Sequence, residues 1–156
     1  MSAQPVYPLP ADAHLELAPA LEQLGTAMVS PRGTILFRQG QQPTGVLVLR
    51  KGKVRLSRVG HDGETSSKIV GAGHILGLLA TVSDQPYLKT AETTVDSELV
   101  SVDRPRVMGL LIRRADFWLQ AVEVIKREMK LIRKQVMGSH PAKAGSPGGD
   151  GQAATD

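Results

Sequence analysis

The chain has 156 residues, of which 41% are apolar and 22% are charged, with a formal net charge of +4 and no cysteine. These values are typical of one globular domain, and they exclude disulfides, thiolate metal sites and thiol catalysis. No apolar run reaches the ~18 residues that a membrane span needs, so we expect no membrane partner and a cytoplasmic location. Aromatic residues make up only 3% of the chain, which disfavours a base-stacking surface for nucleic acid.

The chain begins with residues 1–12, which contain three prolines at positions 5, 8 and 10 and no hydrophobic periodicity. This composition predicts a disordered lead. Leucines then recur between residues 15 and 24, and Gly25 follows them. That pattern indicates a short helix that ends at the glycine.

Short strand patterns, separated by turn residues, occupy the middle of the chain. Residues 45–50 and 53–59 flank Lys51-Gly52, a spacing that predicts a hairpin between these two strands. A second hairpin is predicted at Asp62-Gly63, a pair suited to positive φ. Regularly spaced short strands of this kind favour an antiparallel barrel or jelly roll. The other strands are predicted at residues 33–38, 66–70, 91–95 and 98–103.

The most distinctive stretch starts at residue 71 and contains three glycines within seven residues. A helix would not tolerate that density, because each glycine costs about 1 kcal/mol relative to alanine. A turn followed by a short helix over Leu78–Val82 fits instead, and the N–H groups at its start would face an anion. A lysine and a threonine follow before the next strand, so the segment predicts a phosphate-binding site. The candidate ligand contacts are Gly77, Leu78, Leu79, Lys89, Thr90 and Ala91.

From Arg104 onward the hydrophobic period is helical, and a long helix is predicted over residues 116–137, stopped by Gly138–Pro141. Apolar residues recur along it at spacings of 4, 3, 4, 3 and 4, the period of a two-stranded coiled coil. We therefore predict a homodimer held by this helix; the alternative is that the stripe only docks the helix on its own domain. Residues 138–156 predict a disordered tail. The predicted dimer seam consists of Trp118, Val122, Ile125, Met129, Ile132 and Val136.

No grouping of residues suggests catalysis or a metal site. The four histidines are scattered without metal-ligand spacing, and no Ser/His/Asp arrangement is readable. We therefore expect no enzyme activity and no bound metal. The basic residues between 126 and 134 are most simply a solvated helix face.

The order of elements and several stretches of sequence together resemble the cyclic nucleotide-binding domain of the Crp–Fnr regulator family. The resemblance covers the predicted domain, residues 13–137, and implies a mainly β fold: a double-stranded β-helix, or jelly-roll barrel, with flanking helices and a long C-terminal helix. The matching stretches are GTILFRQG (33–40), GVLVLRKGKVRL (45–56), GAGHILG (71–77), KTA (89–91) and SEL (97–99).

Two positions depart from what the resemblance implies. The family has a glutamate after the glycine that matches Gly77, and this glutamate accepts a hydrogen bond from the ribose; Leu78 stands there instead. The family also has an arginine where this chain has Lys89, which lacks the bidentate fork for phosphate. We therefore expect weak or no cAMP binding, with a cyclic nucleotide or another anionic small molecule as the candidate ligand.

The resemblance implies a regulatory ligand-sensing module in which a ligand at Gly77–Lys89 shifts the long helix of a dimer. In full-length family members a winged helix-turn-helix domain follows that helix. Residues 138–156 have no apolar periodicity for such a domain, so we expect no sequence-specific DNA binding. The alternative is a ligand-free dimerisation scaffold that presents the helix to a partner protein.

Overall fold

The computed structural model describes the backbone of residues 16–143 and the side chains of residues 16–129. The predicted disordered lead and most of the predicted tail lie outside the described residues. The elements are α1 (residues 16–22), β1 (Thr26–Ser30), β2 (Ile35–Phe37), β3 (Gly45–Lys51), β4 (Val54–Val59), β5 (Thr65–Val70), β6 (Ile75–Leu76), α2 (Leu78–Ser83), β7 (Thr90–Thr93), β8 (Ser97–Asp103), α3 (Arg104–Arg113) and α4 (Ala115–Lys143).

The strands form two four-stranded sheets, in the orders β1-β8-β3-β6 and β2-β7-β4-β5, and every pairing is antiparallel. One apolar cluster takes side chains from both sheets, including Phe37, Leu49, Val54 and Leu99. It therefore forms the interior of the roll. The predicted mainly β, jelly-roll fold with flanking helices is confirmed.

Strands β3 and β8 are buried on both faces. Leu49 and Leu99 belong to the cluster between the sheets, whereas Val48 and Val100 belong to a second cluster formed with the helices. Successive side chains of a strand point to opposite faces, so each strand serves both clusters. This explains why the sequence of β3 is a continuous apolar run rather than an alternating one.

The predicted hairpin between β3 and β4 is wrong. Strand β3 pairs with β8 on one edge and with β6 on the other, so no edge is left for β4. The chain instead crosses from one sheet to the other at Gly52, whose φ is 108°. A Cβ at this position would overlap the Ser97 side chain, so the crossing requires glycine.

The hairpin predicted at Asp62-Gly63 is confirmed. Val59 of β4 pairs with Thr65 of β5, and Gly63 between them has a φ of 85°. Two strands were not predicted. Strand β1 has only one buried residue, Ser30, and β6 has only two residues, so neither carries a readable period.

The predicted end of the long helix at Gly138 is also wrong, because α4 continues to Lys143. One glycine costs about 1 kcal/mol relative to alanine, which does not by itself end a helix. The protein divides into two compact units between Ile125 and Lys126. Within the first unit, Phe117, Ala121 and Val124 of α4 join the helix-side cluster.

Candidate functional site

The glycine-rich stretch leads into α2, as the sequence predicts. Gly77 is the N-cap residue, with a φ of 81°. Leu78 is 0% exposed and belongs to the helix-side core cluster, whereas Leu79 is half-buried. The residue at the position of the family's glutamate is thus a core side chain.

The second half of the predicted site lies at the start of β7. Lys89 is half-buried. Thr90 pairs with Ser57 of β4, and its Oγ1 accepts a hydrogen bond of 2.9 Å from the Gln39 N–H. Ala91 is 0% exposed and belongs to the cluster between the sheets. Two of these three side chains therefore contribute to the fold itself.

Tyr87, which sequence reasoning missed, joins the two halves of the site. It is 5% exposed, and its ring stacks on Phe37 at 4.0 Å between centroids. The hydroxyl donates to the Gly45 carbonyl at 2.9 Å and accepts from the Thr44 N–H at 3.3 Å. A Cβ on Gly77 would lie 2.7 Å from Tyr87 Cε1. The ring therefore requires glycine at the start of α2.

Hydrogen bonds connect the loop after β2 to strand β4 and to Tyr87. The Gln39 side chain donates to the Val59 carbonyl at 3.0 Å and accepts from the Val59 N–H at 2.8 Å. Along the same loop, Gly40 N–H donates to the Tyr87 carbonyl at 2.8 Å, and Tyr87 N–H donates to the Gln41 carbonyl at 2.9 Å. These bonds hold the end of β4 beside Tyr87.

A cleft of about 540 Å³ opens between this loop, the end of β4 and α2. Among the six predicted contact residues, Leu79 lines it. Its lining, all from the described part of the chain, contains one basic side chain, Arg58, and no acidic one. The lining residues are Gln39, Gly40, Arg58, Leu79, Ala80, Ser83, Gln85, Pro86, Tyr87 and Leu88.

Arg58 reaches the cleft because of its position on β4. It shares the inward face of the strand with Val54 and Leu56, both of which pack in the cluster between the sheets. Its side chain is half-buried and forms no ion pair with any residue that the structure describes. Arg55, one position off this alternation, is exposed and lies 3.8 Å from Glu92. The signal for Arg58 in the sequence was a basic residue at a position of β4 where the strand alternation places an inward-facing side chain.

Arg104, also missed, connects α2 to α3. Its Nε donates to the Thr81 carbonyl at 2.8 Å and lies 3.9 Å from the Asp84 carboxylate. Asp84 is the C-cap of α2, with a φ of 56°. The Arg104 N–H donates to the Thr44 carbonyl at 2.9 Å. A cation at the last carbonyls of a helix stabilises its C-terminal end.

Of the predicted dimer seam, the structure describes four side chains, and one of them, Ile125, packs against the helix-side cluster. Trp118 is 40% exposed and Met129 is 45% exposed, and Val122 and Ile125 are half-buried. The side chains of Ile132 and Val136 lie outside the described residues.

None of the helices that the structure describes is long and apolar enough to cross a membrane. Within the same residues, no cluster of His, Asp or Glu could hold a metal ion.

The sequence model of the cyclic nucleotide-binding domain family matches residues 28–114, more than half of the chain. The chain belongs to this family. It is 27% identical over 101 residues to the CRP-like cAMP-activated global transcriptional regulator of Mycobacterium tuberculosis, covering 64% of this chain and 45% of the regulator. It is also 20% identical over 132 residues to the anaerobic regulatory protein of Bacillus subtilis, covering 81% of this chain and 56% of that protein.

The chain thus spans about half the length of these curated relatives. Another match covers 68% of this chain and only 8% of the rat patatin-like phospholipase domain-containing protein 7, at 23% identity. Among solved structures, the catabolite activator protein of Thermus thermophilus has the same fold, with a TM-score of 0.66 and 19% identity over 84% of this chain and 59% of that chain. Together with the family match, these similarities identify a cyclic nucleotide-binding domain of Crp–Fnr type.

Proposed function

We propose that this domain is a non-catalytic ligand-sensing module that binds cAMP weakly or not at all. The observation that carries the proposal is the complete burial of Leu78 in the helix-side cluster. A leucine cannot accept a hydrogen bond from a ribose hydroxyl, and its side chain is already committed to the core. An unpaired polar group against apolar surface costs about 1–3 kcal/mol.

The phosphate end of a nucleotide is weakened as well. Lys89 offers a point charge rather than a bidentate fork. Isothermal titration with cAMP and cGMP should therefore give dissociation constants above about 100 μM, or about −5.5 kcal/mol. Nucleotide 5′-monophosphates provide the control for nonspecific attraction to a basic protein. Submicromolar cAMP binding would contradict the proposal.

Signalling would pass through α4 in a homodimer. In support, Trp118 and Met129 are large apolar side chains that remain substantially exposed on this helix. Each buried seam residue contributes about 1.5–3 kcal/mol before entropy is subtracted, so a few suffice for micromolar association.

Met129→Lys tests the dimer, because it would place two ammonium groups opposite each other in a desolvated seam. Sedimentation of this variant should show monomers while circular dichroism shows a folded roll. Leu119→Lys is the matched control: it adds the same charge to an exposed residue of α4 outside the seam and should leave the dimer intact. A monomeric wild type at about 50 μM, where a micromolar dimer would be largely assembled, would refute the seam.

The second candidate is a ligand-free dimerisation scaffold. It is favoured by the commitment of Leu78 and Ala91 to the core. A thermal-shift screen of cyclic nucleotides and other anions separates the two functions, because a ligand at 100 times its dissociation constant stabilises by about 2.7 kcal/mol. Sensing predicts such a shift for at least one anion, whereas the scaffold predicts none. Neither function requires a sequence-specific DNA contact.

A further inference from the structure

The cleft beside α2 is lined largely by apolar side chains, as expected of a binding site for an apolar molecule. Its volume of about 540 Å³ falls within the ~300–1,000 Å³ range of small-molecule sites. Much of the lining comes from α2 and from the segment before Lys89. The apolar side chains among the lining residues are Leu79, Ala80, Pro86, Tyr87 and Leu88.

Most of the polar lining is already occupied by the protein's own groups. Gln39 uses its amide oxygen and its amide nitrogen on the backbone of Val59. The Ser83 hydroxyl donates to the Leu79 carbonyl at 2.7 Å. The cleft is therefore poorly equipped to bind a sugar, whose several hydroxyls each need a partner.

Two polar side chains of the lining, Arg58 and Gln85, have no such partner among the described residues, and Arg58 is the one that carries a charge. It is half-buried beside apolar surface and forms no ion pair with the described residues. Partial burial of an unpaired cation is unfavourable, and an anionic ligand group would remove that cost through charge-assisted hydrogen bonds. The neighbouring carboxylate of Asp84 does not line the cleft and lies 3.9 Å from Arg104.

We infer that the cleft binds a small molecule with an apolar body and a single anionic group, which pairs with Arg58. The inference rests on the proposed ligand-sensing function and names the chemical class of its ligand. The apolar body packs against Leu79, Tyr87 and Leu88, while the anionic group lies near the end of β4, on the strand's inward face.

Titration calorimetry with decanoate, together with its neutral counterpart decan-1-ol, tests the inference on the full chain. Arg58→Gln is the test variant, and Arg55→Gln is the matched control, since Arg55 is on the outward face of the same strand. We expect decanoate to bind wild type and Arg55→Gln equally, and to bind Arg58→Gln about tenfold more weakly, the loss of one charge-assisted bond. Decan-1-ol should bind wild type about tenfold more weakly than decanoate does, and Arg58→Gln should not alter its affinity.

Three outcomes overturn the inference: no decanoate binding, equal binding by both arginine variants, or equal binding of decanoate and decan-1-ol to wild type. The last comparison needs no variant and remains decisive if Arg58→Gln fails to fold. Amide chemical shifts of residues 79–88, recorded with decanoate and with cAMP, separate the two proposals. Shifts with cAMP but not with decanoate would refute the amphiphile and retain ligand sensing. If neither compound changes the amide chemical shifts and the anion screen finds no ligand, both ligand proposals are refuted. The dimerisation scaffold then remains as the function.

Discussion

The two sheets of the roll differ in how many of their faces are covered. In the sheet β1-β8-β3-β6, the central strands β8 and β3 have one face against the other sheet and one against the helices. In the sheet β2-β7-β4-β5, the hairpin β4–β5 has one face toward the roll, and its other residues, such as Val59 and Ile69, are substantially exposed. The first sheet therefore carries most of the core.

This difference determines where the molecule can accommodate a functional group. An arginine at an inward position of β3 or β8 would be surrounded by core side chains. At the end of β4 the inward face reaches the cleft, so Arg58 stays half-buried and accessible. The sheet with one covered face thus supplies the cation, while the sheet with two covered faces supplies the rigid support.

The largest expected effect on stability comes from truncating one side chain on each of the two sheets. Leu99→Ala on β8 removes a side chain that is 0% exposed, and it should lower the free energy of unfolding by about 2–5 kcal/mol. Ile69→Ala on β5 removes a side chain that is 49% exposed, and it should cost no more than about 0.5 kcal/mol. Urea denaturation measures both. Equal costs would show that the two sheets contribute equally.

A second pair of variants tests the junction between α2 and the roll. Gly73 and Gly77 both have positive φ, at 98° and 81°, but a Cβ on Gly73 would meet nothing within 4 Å. Gly73→Ala should therefore cost only the left-handed backbone penalty of about 1–2 kcal/mol. Gly77→Ala should cost about 1–3 kcal/mol more, because its Cβ would overlap the Tyr87 ring. Thermal melts that show no excess for Gly77→Ala would mean that the ring moves aside freely.

A smaller effect is expected at the hydroxyl of Tyr87. Tyr87→Phe keeps the stacking on Phe37 but removes the hydrogen bonds to Gly45 and Thr44. We expect a loss of about 1 kcal/mol in the free energy of unfolding. Chemical denaturation of this variant beside wild type checks the value. An unchanged midpoint would indicate that water replaces the hydroxyl.

The smallest effect belongs to a pair that lies wholly on the surface, Arg114 and Asp116. Arg114 Nη2 donates to the Asp116 carboxylate at 2.8 Å, and this hydrogen bond holds the pKa of Asp116 below its ordinary value. Ionised Asp116 is thus favoured in the folded state. The resulting stabilisation is present above the unfolded pKa of about 3.9 and is lost as pH falls through the lower folded pKa.

Carboxyl NMR titration of Asp116 measures this shift directly. In Arg114→Gln the pKa of Asp116 should return toward its ordinary value, while the stability near pH 7 should change little, as is usual for exposed pairs. An unchanged pKa of Asp116 in this variant would assign the shift to another group.

Local signals predicted local structure well. The β4–β5 hairpin depends on Asp62-Gly63, and the start of α2 depends on Gly77, so both were readable from neighbouring residues. The proposed β3–β4 hairpin failed because the partner of β3 is β8, far along the chain. Strand β1 was invisible for the same reason, since its pairing with β8 rather than its composition makes it a strand.

The predicted site residues and the residues that line the cleft overlap only in part. Within the run from Gly77 to Ala91, Leu79 and residues 85–88 line the cleft. The resemblance pointed also to Leu78 and Ala91, whose side chains this chain buries in its core. Tyr87 and Arg104 act through hydrogen bonds to backbone groups distant in sequence, which no local pattern reveals. Arg58 could have been found by extending the inward alternation of Val54 and Leu56 by one step.

The pairing of β1 with β8 has a consequence for how the chain is made. Thr26 pairs with Ser101, so β1 leaves the ribosome long before its partner is synthesised. At about 5–20 residues per second, the nascent strand waits for several seconds with its edge unpaired. The local β4–β5 hairpin is complete within that interval. Closure of the roll therefore follows formation of the β4–β5 hairpin, and β1 has no strand partner until β8 has been made.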